Sequence, residues 1–108
     1  MSLVTTHVLD AAQGRPAVGV PVVLAAQRES GWQTLARGHT DTDGRVRELG
    51  PDELAAGVYR LTFDTDACFA GAGFYPEITV TFRITDPTAH HHVPILLSPF
   101  AFTTYRGS

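Results

Sequence analysis

The chain has 108 residues, of which 44% are hydrophobic and 18% charged. This length is sufficient for one hydrophobic core and too short for two, so a single domain over residues 1–108 is predicted. The formal charge of −3 and the eight basic residues, all of them arginines scattered along the chain, argue against a nucleic-acid partner. One cysteine, Cys68, and the absence of lysine exclude an intrachain disulfide, a cysteine-based zinc site and Schiff-base chemistry.

The N-terminal sequence bears on the cellular location. It lacks a basic segment followed by an apolar one, which is the pattern of a signal peptide. No stretch of the chain approaches the run of about 18 apolar residues that crosses a bilayer. A lone cysteine fits a reducing compartment. We therefore expect a cytoplasmic protein with no membrane partner.

Most of the chain is predicted to form strands. Segments rich in β-branched and aromatic residues are separated by glycine or proline at intervals of about ten residues, which is typical of a β-sandwich. The clearest strand is 77–84, where apolar residues occupy the even positions and polar residues the odd ones. Turn signals occur at 14–16, 30–31 and 41–44. In chain order, strands are predicted at about 3–10, 20–28, 31–39, 57–65, 77–84, 90–97 and 100–106.

Two short segments have helical signals. Asp66 is a good N-cap, and the small residues that follow it, together with Phe69, predict a short helix over 66–73. Pro51, Asp52 and Glu53 resemble a first helical turn, so a second turn of helix is expected there. The fold class predicted from these elements is all-β with one short helix.

The strand at 90–97 departs from simple alternation. Its residues from Val93 to Leu97 are all apolar, so both faces of this strand are apolar. A strand of a sandwich needs only one apolar face to pack on the core. We expect the second face to form a subunit interface, and a buried central strand is the alternative.

Three of the five histidines are consecutive, at positions 90 to 92. On a strand, the side chains of His90 and His92 point to one side and that of His91 to the other. Two neighbouring imidazoles suit proton transfer or metal binding. The alternative is a solvated strand start after the turn at Asp86.

Two further candidates lie in the first half of the chain. Val4, Thr6 and Val8 are expected to face inward, which leaves His7 on the other face of its strand. Arg45 follows a turn and is therefore expected at the rim of the sheet. A surface position is the default for a lone strand histidine, and an exposed salt bridge is the default for Arg45 and for its neighbour Arg47.

Three segments together resemble the transthyretin-related 5-hydroxyisourate hydrolases. They are Thr6–Asp10, Asp41–Arg45 and the C-terminal stretch from His90 to Ser108. The ending Tyr-Arg-Gly-Ser is the most specific feature, because it resembles the signature that separates the hydrolases of this family from the hormone carrier transthyretin. The family has an aromatic residue where this chain has His91, on the side of the strand away from His90 and His92.

The resemblance spans the whole chain and implies a fold, an assembly and an activity. The implied fold is a transthyretin-like eight-stranded β-sandwich, assembled as a homotetramer with active sites in a channel between dimers. The implied reaction is the hydrolysis of a small-molecule substrate, 5-hydroxyisourate, to 2-oxo-4-hydroxy-4-carboxy-5-ureidoimidazoline in urate degradation. It implies no metal and no cofactor.

The family's functional residues carry over to matching positions of this chain. The implied catalytic residues are His7, Arg45, His92 and Ser108. The implied substrate-binding residues are His7, Arg45, His90, Tyr105, Arg106, Gly107 and Ser108.

Each implied residue suits the chemistry of ring opening by water. An imidazole with a pKa near 6.5 accepts and returns a proton near neutral pH, so His92 is the expected base, with His7 as its partner. Arg45 offers a planar fork of donors for a developing oxyanion. Ser108 is expected to hydrogen-bond substrate or water, and Gly107 to offer a backbone that tolerates positive φ.

Three alternatives stay open at this point. In the first, His7, His90 and His92 bind a catalytic zinc ion that holds the attacking water. In the second, the protein is a transthyretin-like carrier of a small hydrophobic ligand, which would need a channel poor in histidine. In the third, the chain is a structural β-sandwich module of a larger assembly.

Overall fold

The computed structural model describes residues 2–108, which form a sandwich of two β-sheets. All seven predicted strands are present, with ends within a few residues of those expected. Two strands of two residues each were not predicted. The strands are β1 (Val4–Asp10), β2 (Arg15–Pro16), β3 (Pro21–Arg28), β4 (Gly31–His39), β5 (Arg45–Val46), β6 (Gly57–Asp64), β7 (Glu77–Ile84), β8 (His91–Ser98) and β9 (Ala101–Thr104).

The first sheet has the strand order β2–β1–β8–β9, and β5 also pairs with β1. Strands β1 and β8 run parallel, whereas the other pairs of this sheet are antiparallel. The register places Thr5 beside His92 and His7 beside Arg45. Strand β1 therefore lies between the two strands that carry Arg45 and His92. The second sheet has the order β4–β3–β6–β7 and is antiparallel throughout.

The core lies between the sheets and follows the predicted alternation. In β1, the side chains of Val4, Thr6 and Val8 are fully buried, as expected from the sequence. In β8, the inward residues are His91, Val93, Ile95 and Leu97, so Pro94 and Leu96 lie with His92 on the outer face. The apolar run therefore supplies both faces of β8, as predicted. The largest buried core side chains are Phe63, Leu24, Leu49, Leu61, Ile84 and Ile95.

The helical content is smaller than the sequence predicts. The expected helix over 66–73 is a single 3₁₀ turn, Asp66–Phe69, and it ends because Ala70 adopts a left-handed conformation with φ of 52°. No helix in residues 2–108 is long and apolar enough to cross a membrane.

The helical turn expected after Pro51 is wrong. In a helix, the carbonyl of Pro51 would accept a hydrogen bond from the amide four residues later. Here it accepts one from the amide of Leu3 at 3.2 Å, and the carbonyl of Gly50 accepts one from the Ser2 hydroxyl at 2.9 Å. The segment therefore bonds to the N-terminal residues, a tertiary contact that overrides its local preference.

The turn predicted at 14–16 lies earlier in the chain. The amide of Gly14 donates to the carbonyl of Asp10 at 2.8 Å, which closes the turn before Arg15. Arg15 and Pro16 then form β2 against the end of β1.

Candidate active site

A polar cleft of about 180 Å³ opens on the outer face of the first sheet, where β5, β1 and β8 lie side by side. Residues that the sequence separates by more than 80 positions meet here because of the parallel pairing of β1 with β8. The residues that line the cleft are Thr5, Thr6, Arg45, Arg47, His90, His92 and Ser108.

His90 and His92 lie next to each other, as the strand geometry predicts. Their ring centroids are 6.4 Å apart and the ring planes are inclined by 27°. His90 is exposed and His92 is half-buried, whereas His91 is buried on the core side. The Thr5 hydroxyl contacts both outward rings, at 2.8 Å from Nδ1 of His92 and 3.0 Å from Nε2 of His90. These contacts fix the two imidazoles relative to β1.

His7 lies on the same outer face as Thr5, but it is not among the residues that line the cleft. Its Nε2 is 2.8 Å from the backbone carbonyl of Asp43. A carbonyl can only accept a hydrogen bond, so Nε2 of His7 carries the proton. In the neutral ring, Nδ1 is then the atom that can accept a proton.

The turn before Arg45 is shaped by Asp41 and Gly44. The Asp41 carboxylate accepts hydrogen bonds from the amides of Asp43 at 2.9 Å and Arg45 at 3.0 Å. The bond from Arg45 is the main reason that the pKa of Asp41 is lowered. Gly44 has a φ of +76°, and a Cβ there would lie 2.4 Å from the carbonyl oxygen of Val8. The turn therefore docks tightly on β1 and places Arg45 beside His7.

The two arginines of the cleft differ in their partners. Arg47 forms an ion pair with Asp41 at 2.9 Å and a longer one with Asp43 at 3.6 Å. Within residues 2–108, no such ion pair involves Arg45. The guanidinium of Arg45 is therefore the one with donors available for a ligand.

The C-terminal tail closes one side of the site. The amide of Gly107 donates to the carbonyl of His92 at 2.8 Å and forms an isolated bridge with β8. A Cβ at position 107 would lie 2.6 Å from Cδ2 of the His92 ring. Gly107 does not have a positive φ, so the reason expected for this glycine is wrong. The position needs glycine because the imidazole packs against its backbone.

The other tail residues divide between two cavities. Ser108 borders the polar cleft, whereas Tyr105 and Arg106 line a neighbouring cavity of about 250 Å³. That second cavity lies between β7 and β8, with Val80 and Phe82 in its wall. His92 borders both cavities.

The surroundings of His92 favour its neutral form. Burial is the main cause that lowers its pKa, followed by the positive charge of Arg45 and by His90 and His7, against a smaller opposing effect of a backbone hydrogen bond with Thr5. The ring is therefore a proton acceptor at neutral pH.

The geometry bears on the zinc alternative. Across residues 2–108, no group of three or more histidine, cysteine, aspartate or glutamate side chains is placed to hold a metal ion. In particular, Nε2 of His7 is directed to Asp43 rather than towards His90 and His92. The three histidines of the zinc hypothesis thus do not form a ligand set.

Two contributors to the site were missed at the sequence level. The contact of Thr5 with His90 and His92 depends on a strand register that the sequence does not specify. Asp41 was read only as a turn residue. Its position four residues before Arg45 and six before Arg47 is the signal that could have identified it.

Comparison with known proteins gives consistent matches. A model described as the HIUase/Transthyretin family matches residues 4–107. The chain is 45% identical over 111 residues to the 5-hydroxyisourate hydrolase of Salmonella typhimurium, covering 99% of this chain and 82% of that protein. It is similar to Klebsiella pneumoniae 5-hydroxyisourate hydrolase, with a TM-score of 0.84 and 38% identity over 97% and 98% of the two chains. It is also similar to sea bream transthyretin in complex with thyroxine, with a TM-score of 0.89 and 32% identity over 96% and 93%.

Proposed function

The chain belongs to the HIUase/Transthyretin family, and from this premise we propose that it hydrolyses 5-hydroxyisourate to 2-oxo-4-hydroxy-4-carboxy-5-ureidoimidazoline in urate degradation. The observation that carries the proposal is the polar cleft, in which Arg45, His92 and Ser108 lie together. Its lining side chains are two arginines, two histidines and three hydroxyl residues, which offer hydrogen bonds to a polar, planar substrate. A carrier of a hydrophobic hormone would instead need an apolar lining.

His92 is the proposed general base. Its ring borders the cleft, and its lowered pKa keeps it neutral and ready to accept a proton from water. The activated water attacks a ring carbonyl carbon of the substrate. His7 is the proposed partner of His92 in handling protons, with its own Nε2–H held by the carbonyl of Asp43.

Arg45 is the proposed electrostatic contact of the transition state. Attack by water moves negative charge onto the carbonyl oxygen, and a guanidinium with unused donors stabilises that charge. When the ring carbon–nitrogen bond breaks, the leaving nitrogen takes a proton, which protonated His92 can return. Ser108, at the edge of the same cleft, is positioned to hydrogen-bond substrate or water. We propose His90 and the tail residues Tyr105, Arg106 and Gly107 as further substrate-binding or site-shaping residues.

The proposed activity has a direct test. Freshly prepared 5-hydroxyisourate absorbs in the ultraviolet and decays spontaneously, so the protein is added and the loss of absorbance is compared with the spontaneous rate. We expect decay that is proportional to protein concentration. Thyroxine binding without any acceleration of this decay would instead support the carrier.

The lowered pKa of His92 predicts the pH dependence of the reaction. A base works in its neutral form, so kcat/KM is lost as the pH falls through the pKa of His92 in the free enzyme. Burial, Arg45, His90 and His7 lower that pKa from the ordinary value of 6.5. We therefore expect the midpoint of the acid limb of the kcat/KM profile to lie below pH 6.5. An acid limb above pH 6.5 would contradict this role.

Gly107→Ala is expected to impair catalysis with little effect on folding. The new methyl group would lie 2.6 Å from the His92 ring, which must move by several tenths of an ångström or more. Displacements of this size at a catalytic group lower rates by about 10- to 100-fold. The measurement is kcat together with the melting temperature. Gly14→Ala is a control for kcat alone: a Cβ there meets no atom within 4 Å, so kcat should be unchanged, whereas the φ of +67° strains an alanine and should lower the melting temperature.

We further propose that the protein works as a homotetramer. On the outer face of β8, Pro94 is already buried within one chain, whereas Leu96 is only partly buried. Phe100, at the adjoining β8–β9 turn, is 74% exposed. Exposed apolar side chains beside a site often mark an interface, and the resemblance to the family implies that further copies of the chain cover them.

Light scattering tests the proposed assembly. We expect the mass of four chains for the natural sequence and a smaller species for Leu96→Asp, because an unpaired carboxylate is costly to bury in an interface. Thr34→Asp, exposed on the second sheet, is the control that should stay tetrameric. A fully active monomer would refute the proposal.

We also propose a cytoplasmic location. Cys68 is a free thiol, which fits a reducing compartment. Fractionation of the source cells tests this, and recovery of the protein from a secreted or periplasmic fraction would contradict it.

A further inference from the structure

The hydroxyl of Thr5 occupies an unusual position, because it is within hydrogen-bond distance of two imidazoles at once. It lies 2.8 Å from Nδ1 of His92 and 3.0 Å from Nε2 of His90. Thr5 itself is only 6% exposed, and its backbone is paired directly beside His92. The position of the hydroxyl is therefore restricted by the strand pairing and by the burial of the Thr5 side chain.

The number of protons limits the possible arrangements. A hydroxyl has one proton to donate and two lone pairs to accept with. If Thr5 donates to Nδ1 of His92, the neutral ring must carry its proton on Nε2, and neither nitrogen is then free to act as a base. If Nδ1–H of His92 donates to Thr5, the lone pair of Nε2 is free. Within residues 2–108, no hydrogen bond from another residue occupies that Nε2.

The arrangement in which Nδ1–H of His92 donates to Thr5 also gives the neighbouring polar atoms hydrogen-bond partners. The proton of Thr5 then goes to Nε2 of His90, which carries its own proton on Nδ1. After His92 takes a proton from water on Nε2, its Nδ1–H still donates to Thr5, so the contact survives catalysis without reorganisation. The first arrangement would require the hydroxyl to turn around when His92 becomes protonated.

We propose that Thr5 is a positioning residue, which holds His92 as the Nδ1–H tautomer and leaves its Nε2 lone pair available for the attacking water. The proposal deepens the hydrolase function and rests on it for the catalytic role, but the tautomer itself is a property of the protein without substrate. A neutral hydroxyl here takes the part that a carboxylate takes in catalytic triads, where it orients the base by bonding the nitrogen that does not react. A carboxylate would raise the pKa of the imidazole, whereas a hydroxyl leaves it low.

The backbone supports the ring from the other side. The amide of Gly107 bonds the carbonyl of His92, and the Gly107 backbone packs against the imidazole. The ring is thus held between the hydroxyl of Thr5 and the chain end.

Three variants test the proposal. Thr5→Val keeps the β-branched shape and removes the hydroxyl, and Thr5→Ser keeps the hydroxyl. Thr62→Val is the matched control, because among residues 2–108 the Thr62 hydroxyl contacts only that of Thr79, on the second sheet. All three are compared with the natural protein by nitrogen-15 NMR of the imidazoles at pH 8, where neutral rings dominate, and by steady-state kinetics.

The expected NMR result is a protonated Nδ1 and an unprotonated Nε2 for His92 in the natural protein, Thr5→Ser and Thr62→Val. Thr5→Val should shift His92 towards the Nε2–H tautomer that free histidine prefers. A natural protein with the proton of His92 on Nε2 overturns the proposal, and so does an unchanged tautomer in Thr5→Val. The spectrum of the natural protein tests the tautomer assignment of His92 even if Thr5→Val does not fold.

The expected kinetic result is a fall in kcat of about tenfold or more in Thr5→Val with KM little changed, and recovery in Thr5→Ser. A normal kcat in Thr5→Val overturns the catalytic part. The two measurements also separate this inference from the proposed function. If the tautomer is as expected but the protein does not accelerate 5-hydroxyisourate decay, the hydrolase function fails and the tautomer assignment stands.

Discussion

Replacing His92 by alanine lowers kcat for 5-hydroxyisourate hydrolysis by about 10²- to 10⁴-fold, the range expected when a general base is removed. The ring borders the cleft, its Nδ1 is held by Thr5, and its lowered pKa keeps it neutral at pH 7. The loss should appear in kcat more than in KM, because the proton transfer occurs in the transition state. Stopped-flow absorbance at pH 7 measures both constants.

The control for this variant is His39→Ala. His39 is exposed at the end of β4 in the second sheet. It has the same imidazole side chain as His92, but it does not line the cleft. It should keep kcat within about twofold, as expected for a surface change. Near-normal kcat in His92→Ala, with the fold intact by circular dichroism, would remove His92 from the mechanism and leave His7 as the next candidate base.

Deleting residues 106–108 lowers kcat/KM by at least about 10²-fold while the melting temperature changes little. The deletion removes Ser108 from the cleft and the Gly107 amide that bonds the His92 carbonyl. The last residues are largely exposed and belong to no long strand, so their loss exposes little core. This pattern is typical of a lost transition-state contact rather than a lost core contact.

Ser108→Ala separates the contributions within the tail. This variant removes only the hydroxyl and keeps the Gly107 bridge. We expect a smaller loss of kcat/KM than in the deletion, since the ring of His92 stays supported. A truncated protein with the full rate would show that the tail has no catalytic role and that the Tyr-Arg-Gly-Ser ending has been misinterpreted.

The strands could be predicted because their signals are local. The alternation in β7 depends only on neighbouring residues, and the apolar run of β8 is visible without knowing its partners. The helical turn after Pro51 could not be rejected in the same way. Its carbonyls bond to Ser2 and Leu3, nearly 50 residues earlier, and no local pattern indicates that contact.

The candidate site was predictable in part. Strand geometry places His90 and His92 on one side, and the turn signal places Arg45 at the rim. The meeting of Arg45, Ser108 and His92 depends on which strands pair and in which register. The role of Thr5 is the clearest example, because a shift of one residue in the β1–β8 pairing would turn its hydroxyl to the core.

The parallel pairing of β1 with β8 also has a consequence for folding. Its partners Thr5 and His92 are 87 residues apart, so this central contact closes a loop that contains most of the chain. High contact order of this kind slows folding, because the entropy of loop closure is lost before the strand contacts form. During synthesis, β1 is made long before β8 has left the ribosome. Its apolar face and the edge that later pairs with β8 can be bound by chaperones during that time. The second sheet pairs segments that are closer in the chain, with Val22 and Phe63 at 41 residues the widest-spaced pair, and it can form first. The catalytic cleft would then be the last part of the molecule to assemble, so activity should appear after most of the secondary structure during refolding.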